Sequence, residues 1–291
     1  MPNYWEEAAL LAPKVSVIVT TWNRPSQLRL CIEALRQQIY LAYEIIVTED
    51  GPEQKVTQEM SQDLGFWYLT HPRTLDHNGE EIWDEPRSIN SAVAVAIGDI
   101  VQILQDDFII PPDFLLWLVR SIDKSSIIYP SIEYTTHDRF SLHDLDAMLK
   151  FTHLPDRDPR FQFHALNGRR HLMEFTEWGM AEGVGWAFPR EAWVDIDPHF
   201  VGYGYGEQDW ALRQRLRGYH LYVQPMMRAW LRNWPDVVHP TEKELVQNLA
   251  HQEYMKQKWG DNVFTADYVL PPMPFGDVQE RVKQLRERFH A

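Results

Sequence analysis

The chain has 291 residues and a formal net charge of −14, with 28 Lys and Arg against 42 Asp and Glu. That balance argues against a nucleic acid or an anionic membrane held by bulk charge. Apolar residues at 44% and aromatics at 13% are ample for the core of one large α/β domain or two smaller ones, and they exclude intrinsic disorder.

Residues 14–22 read Lys-Val-Ser-Val-Ile-Val-Thr-Thr-Trp, the β-branched pattern of a strand buried on both faces. Asn23-Arg24-Pro25 ends it and starts a helix, because Asn caps and Pro suits a first turn. Leu28, Cys31, Ile32 and Leu35 then fall at i, i+3, i+4 and i+7, one apolar stripe for a sheet. A second strand is predicted at 43–48, stopped at Glu49-Asp50-Gly51, where glycine permits a tight turn. Strand, helix and strand of these lengths predict a right-handed crossover into a parallel sheet. The first turn has no glycine, which counts against a dinucleotide pyrophosphate loop.

A short helix is predicted at 88–97, ended by Gly98, and a buried strand at 100–104 runs into Gln105-Asp106-Asp107. Pro111 and Pro112 precede an amphipathic helix at 113–122, and 126–134 reads as extended. Residues 137–174 are charged, His-rich and aperiodic, the pattern of a long surface excursion. Order returns at 183–189 and in the Gly- and Tyr-rich stretch 200–207. A helix at 208–217 is closed by Gly218, and Thr241 with Glu244 makes a capping box for a helix reaching Trp259. A last helix places Val278, Val282, Leu285 and Phe289 on one side. Arg281, Lys283, Arg286 and Arg288 lie opposite, diluted by Glu280 and Glu287, so membrane contact is expected to be at most peripheral.

No run approaches the ~20 apolar residues of a bilayer helix, and residues 1–11 carry two glutamates in place of the basic region of a secretion signal. The single Cys31 excludes an internal disulfide framework. A cytoplasmic location is therefore expected.

The Asp106-Asp107 pair follows a buried strand, where open α/β sheets place their ligand crevice. Adjacent carboxylates repel unless a cation or sugar hydroxyls compensate, so a divalent metal is a natural partner. Twelve tryptophans supply rings for core and for sugar faces alike.

The order of these pieces, 15-Val-Ser-Val-Ile-Val-Thr-Thr-Trp-Asn-Arg-Pro-25, then Glu49-Asp50-Gly51, then Arg87 and Asn90 before Gly98-Asp99, then the Asp pair, resembles the nucleotide-sugar half of family 2 glycosyltransferases. The stretch Phe200-Val-Gly-Tyr-Gly-Tyr-Gly-Glu-Gln-Asp-Trp-Ala-Leu-Arg-Gln-Arg-Leu216 is similar to the acceptor-side motif of the β-1,4-galactosyltransferase-like group. The resemblance implies a GT-A fold, an α/β architecture with a Rossmann-like, mostly parallel central sheet flanked by helices. Its glycosyltransferase domain would span 1–240, with a nucleotide-sugar half at 13–125 and an acceptor half at 126–240, followed by a helical extension at 241–291.

The same resemblance implies a metal-dependent inverting transfer of a sugar from a nucleotide-sugar donor, a UDP-sugar, to a glycan or other hydroxyl acceptor. Thr20, Trp22 and Arg24 would line the donor site, with Glu49 or Asp50 on the base and Arg87 and Asn90 near the phosphates. The family's customary Arg-Asn pair is Ile89-Asn90 here. In its Asp-X-Asp motif the first acid is Gln105, so Asp106 would meet sugar hydroxyls while Asp107 would coordinate Mn²⁺ or Mg²⁺. His239 would be the second metal ligand and Asp236 a further candidate, and Trp186 would contact the donor.

An inverting transfer needs a base for the acceptor hydroxyl, and a carboxylate in a crevice is the usual choice. Glu207 and Asp209 both qualify. Anchoring on Leu212, Arg215 and Leu216 of the following helix selects Asp209. A non-catalytic nucleotide-sugar or glycan-binding protein of the same fold stays open as an alternative. A two-carboxylate glycoside hydrolase would leave the nucleotide-type first half unexplained.

Overall fold

The computed structural model describes residues 12–75, 79–135, 161–162, 173–174, 185–202, 204–232, 242–261 and 263. Strand β1 (Val15–Thr21) is buried along its whole length. Helix α1 (Pro25–Leu35) follows it, and β2 (Tyr43–Glu49) pairs parallel to β1, the predicted crossover. Leu28, Ile32 and Leu35 of α1 are fully buried against the sheet, each worth about 1.5–3 kcal/mol relative to exposure.

Helix α2 (Lys55–Leu64) and strand β3 (Trp67–Thr70) extend this unit. A small hairpin, β4 (Thr74–Leu75) with β5 (Glu81–Ile82), leads to helix α3 (Glu85–Val95). Strand β6 (Ile100–Gln105) returns beside β1 and parallel to it. After β7 (Phe108–Ile109) and helix α4 (Phe114–Ser121) come β8 (Ser126–Thr135), β9 (Phe161–Gln162), β10 (Met173–Glu174) and β11 (Trp186–Pro189). Helix α5 (Gly206–Leu216), strand β12 (His220–Arg232) and helix α6 (Glu242–Trp259) complete the described fold. The main sheet runs β10-β12-β8-β11-β6-β1-β2-β3. Most of its ladder is parallel, with β11 antiparallel to both β6 and β8. The fold class is the α/β one expected, and no helix among the described residues is long and apolar enough to cross a membrane.

Several elements escape the sequence pattern. Helix α3 starts at Glu85, three residues before the predicted start, because the Asp84 side chain accepts the Arg87 amide at 3.1 Å and Pro86 sits in the first turn. Only Thr57 and Met60 of α2 are buried, too little for an apolar stripe. Strand β12 shifts register against β8 between Gln224 and Arg228, which breaks the two-residue alternation that marks a strand. The last predicted helix, the 137–174 excursion apart from β9 and β10, and the cap residue Thr241 lie outside the described residues.

The end of the sheet opposite the carboxyl ends of the parallel strands is closed by polar contacts. The Gly98 amide donates to Ser16 Oγ at 2.8 Å, Ser16 Oγ donates to Glu44 Oε1 at 2.5 Å, and the Ile97 amide donates to the same oxygen at 3.0 Å. A Cβ on Gly98 would lie 2.6 Å from the Ser16 amide nitrogen and 2.8 Å from the Lys14 carbonyl. Gly98→Ala therefore forces α3 and β1 apart and is expected to cost about 1–3 kcal/mol, read as a lower urea midpoint with an unchanged slope.

Candidate active site

Register pairs Thr20 with Thr48 on one side and with Gln105 on the other. The carboxyl ends of β1, β2 and β6 thus finish level, and the residues that follow share one rim, as at the ligand crevice of open α/β sheets. On this rim Asp106 accepts the Thr21 hydroxyl at 2.6 Å and Arg24 Nη1 at 3.3 Å, while its amide donates to the Thr20 carbonyl at 3.0 Å. Arg24 Nη1 also lies 3.7 Å from Asp107 Oδ2. Burial pushes the Asp106 carboxyl up to about 6, against the pull of Arg24 and Thr21. Thr20 is buried and its hydroxyl has no hydrogen-bond partner among the described residues, whereas Trp22 is 40% exposed.

At the end of β2, Glu49 accepts the Asn23 amide at 3.2 Å and the Tyr68 hydroxyl. Asp50 accepts Arg87 Nη2 at 3.0 Å and the Asp84 amide at 2.5 Å, and Arg87 Nη2 also donates to the Pro72 carbonyl at 2.6 Å. Asn90 spends both ends of its amide on Ile196, donating to the carbonyl at 3.1 Å and accepting the amide at 2.8 Å. Arg87 braces the loop after β3 and Asn90 ties α3 to the chain entering α5.

The other wall of the rim is the loop 202–206. Gly202 and Gly204 hold φ of 98° and 93°, and Tyr205, at 72°, takes the same left-handed region as a non-glycine, a strain typical of functional loops. A small open crevice lies between this loop and α3, lined by Glu85, Pro86, Ile196, Phe200, Gly202, Gly204, Gly206 and Glu207. Glu85 and Glu207 are hydrogen-bonded to each other across it. Gln105, the residue in place of the family's first acid, reaches Glu85 Oε1 with its Nε2 at 3.5 Å. Burial, then the Glu207 charge and hydrogen bond, push the Glu85 carboxyl well above the usual range. Burial also raises Glu207, offset by its own amide and by Glu85. Of the two, Glu85 holds a proton the more tightly.

Asp209 is placed very differently. It is fully buried, and its carboxylate accepts Arg213 Nε at 2.8 Å, Lys258 Nζ at 2.8 Å and Trp259 Nε1 at 2.9 Å. With both oxygens bonded and no exposure, it has no lone pair presented to an incoming hydroxyl. Asp209 thus anchors α6 onto α5, whereas Glu207, the other candidate base, lines the crevice. Lys258 also donates to Asp197 at 2.6 Å, and Tyr254 donates to the same carboxylate at 3.0 Å while stacking on His199. Gln247 and Asn248 of α6 lie where a Cβ on Gly202 or Gly204 would fall, and His251 meets the Gly204 carbonyl at 3.1 Å. Helix α6 is thus the outer support of the crevice loop.

Trp186 and Trp210 are fully buried with ring centroids 6.0 Å apart, packed with Phe188 and Trp193. Trp186, expected at the donor, is placed in the core. His239 and Asp236 lie outside the described residues, as do Tyr203, Glu177 and Trp178. Among the described residues no group of three His, Cys, Asp or Glu side chains is arranged to hold a metal ion. Sequence reasoning missed Glu85, Asp197 and Lys258. For Glu85 the signal was present in Asp84-Glu85-Pro86, a cap followed by a first-turn proline. Nothing local marks the other two, since Lys258 lies 61 residues from Asp197 and 49 from Asp209 in the chain and the pairing is set by tertiary packing alone.

Two outcomes test the anchor. Asp209→Ala leaves Arg213 and Trp259 without this acceptor and is expected to cost about 3–5 kcal/mol, measured by urea unfolding. Burial opposes ionisation of Asp197, but Lys258, the His199 amide and Tyr254 outweigh it and hold its carboxyl below the ordinary value. Its stabilisation is therefore complete above the unfolded value of about 3.9 and is lost as pH falls through the lower folded value. Lys258→Met should flatten that acid limb of the stability curve.

The chain matches the glycosyl transferase family 2 model over residues 16–195. Protein CgeD of Bacillus subtilis (strain 168) is 27% identical over 112 residues, 38% of this chain and 26% of that protein. The chain spans between 26% and 44% of the lengths of three curated relatives that it matches. A crystal structure of GalNAc-T7 with UDP, GalNAc and Mn²⁺ superposes with a TM-score of 0.62 at 15% identity, covering 96% of this chain and 55% of that one. The mannosyltransferase PcManGT from Pyrobaculum calidifontis, in complex with GDP-Man and Mn²⁺, gives 0.52 at 16% identity, covering 97% and 76%. The fold is GT-A-like, and the chain belongs to glycosyl transferase family 2.

Proposed function

We propose that this chain moves a sugar from a UDP-sugar to an acceptor hydroxyl with inversion at the anomeric carbon, with Glu207 as general base. The observation that carries the reading is the crevice carboxylate of Glu207, which shares its opening with Glu85, itself reached by Gln105, the residue before the Asp106-Asp107 pair. The similarity of residues 200–216 to the β-1,4-galactosyltransferase-like acceptor motif supports an acceptor site at this crevice. UDP and Mn²⁺ in the GalNAc-T7 structure support the choice of donor and cation.

The acceptor hydroxyl enters the crevice beside Glu207, loses its proton to that carboxylate, and attacks the anomeric carbon as the bond to the diphosphate breaks. A carboxylate raised by burial is a stronger base than one in water, which brings it nearer the working pH. Trp22, exposed just beyond β1, offers its face to the nucleobase, and Glu49 stands at the end of the neighbouring β2. The place beside Asp106 and Asp107 accepts positive charge, since the Arg24 guanidinium lies against both carboxylates. Hard oxygen donors of this kind suit Mg²⁺ or Mn²⁺, with Asp107 as the described ligand and His239 and Asp236 as further candidates. A divalent cation, when bound, neutralises charge on the departing diphosphate. In this reading residues 13–125 serve the donor and 126–240 the acceptor, and the protein works in the cytoplasm.

A thermal-shift screen of UDP-sugars with and without Mn²⁺ tests the donor, because a ligand held only by the folded state raises the unfolding temperature. The expected result is a shift with UDP-sugar that grows with Mn²⁺ and is lost in Asp107→Ala. Glu207→Gln is expected to keep that shift and lower kcat at least a hundredfold. Full turnover by Glu207→Gln would remove it from the role of base.

A further inference from the structure

Glu85 is 8% exposed in the first turn of α3, at the meeting of donor rim and acceptor crevice. A carboxyl placed there must be held in one orientation, and three contacts do this. Asp84 caps the helix and fixes the backbone on which Glu85 stands. Gln105, at the tip of β6, reaches Glu85 Oε1 at 3.5 Å. Across the crevice Glu85 meets Glu207, and both side chains line the opening.

We propose that Glu85 is a positioning residue, holding Glu207 aimed into the crevice through a donated hydrogen bond, while Gln105 holds Glu85. This rests on Glu207 being the base. Two carboxyls in contact need one proton between them, and the more strongly buried Glu85 retains it. Its neighbours reinforce this assignment. Asp107 at the β6 turn adds negative charge towards Glu85, and Glu207 faces Tyr129 of β8.

The arrangement also gives a reason for Gln105, the departure from the family's first acid. An amide at this position donates to Glu85, whereas a carboxylate would add a like charge against Asp107 and Glu85 and leave Glu85 without a donor. In the reaction the acceptor O–H bond breaks and its proton passes to Glu207. The acceptor oxygen forms the new bond to the anomeric carbon, and the diphosphate leaves with the electron pair of the old one. The proton already on Glu85 is not consumed, and the proton on Glu207 departs to water through the open crevice.

The test uses the full chain with Mn²⁺ and whichever of UDP-glucose, UDP-galactose, UDP-GlcNAc and UDP-GalNAc raises its unfolding temperature most, reading UDP release with water as acceptor. Glu85→Ala is expected to lower kcat roughly ten- to a hundredfold, the scale of a misplaced catalytic group, with KM for the donor within about twofold. Glu85→Gln, whose amide still donates, should recover to within about threefold of wild type. The double variant Glu85→Ala with Glu207→Gln should be no slower than Glu207→Gln alone, because groups acting as a unit are not additive. An unchanged UDP-induced thermal shift in Glu85→Ala shows that the donor half is intact. The proposal is overturned if Glu85→Gln is as slow as Glu85→Ala, if the double variant is slower than Glu207→Gln, or if only KM moves. Wild-type kcat in Glu207→Gln would instead overturn the base itself, so the two failures are distinguishable.

Discussion

Repulsion between carboxylates crowded at one end of a parallel sheet governs this site. Every acid there needs an answer, and the answers differ. Glu49 is met by an amide and a phenol, and Asp50 by a guanidinium and an amide. Asp209 is met by two cations and an indole. These acids are spent on holding the frame. Glu85 and Glu207 answer each other by sharing a proton, and Asp106 and Asp107 lean on a half-exposed Arg24. Acids of the second kind keep the capacity for chemistry, because their partners are weaker, more exposed or exchangeable.

The same comparison separates two roles that lie two residues apart. Glu207 and Asp209 both occupy the first turn of α5, where negative charge suits the helix dipole. A rotation of about 200° between positions i and i+2 sends one towards the crevice and the other towards α6. Sequence alone gives them equal standing, since the choice depends on which face a later helix covers.

Much of the nucleotide half was legible in the chain. β1, α1, β2 and β6 carry unbroken apolar patterns that follow from burial on both faces of a parallel sheet, and the rim acids follow from where such strands stop. The acceptor half was less so. β12 hides its alternation behind a register shift, and α2 lies on the surface with two buried residues. Arg87 and Asn90 match a donor-site pattern by type and spacing. Their hydrogen bonds to the loop after β3 and to Ile196 depend on segments brought together only by folding, so their bracing role had no local signature. The burial of Trp186 had no signature for the opposite reason, because an indole suits a sugar face and a core equally well.

Helix α6 sits far downstream of the strands whose rim it completes. While the chain is being made, β1, α1, β2 and β6 can assemble as soon as residue 105 is available, and a nucleotide platform can exist at that stage. The glycine loop opposite it has no outer support until Lys258 and Trp259 reach Asp209. Synthesis therefore separates the two walls of the crevice in time, since the strand rim is old when the loop opposite it gains its outer support.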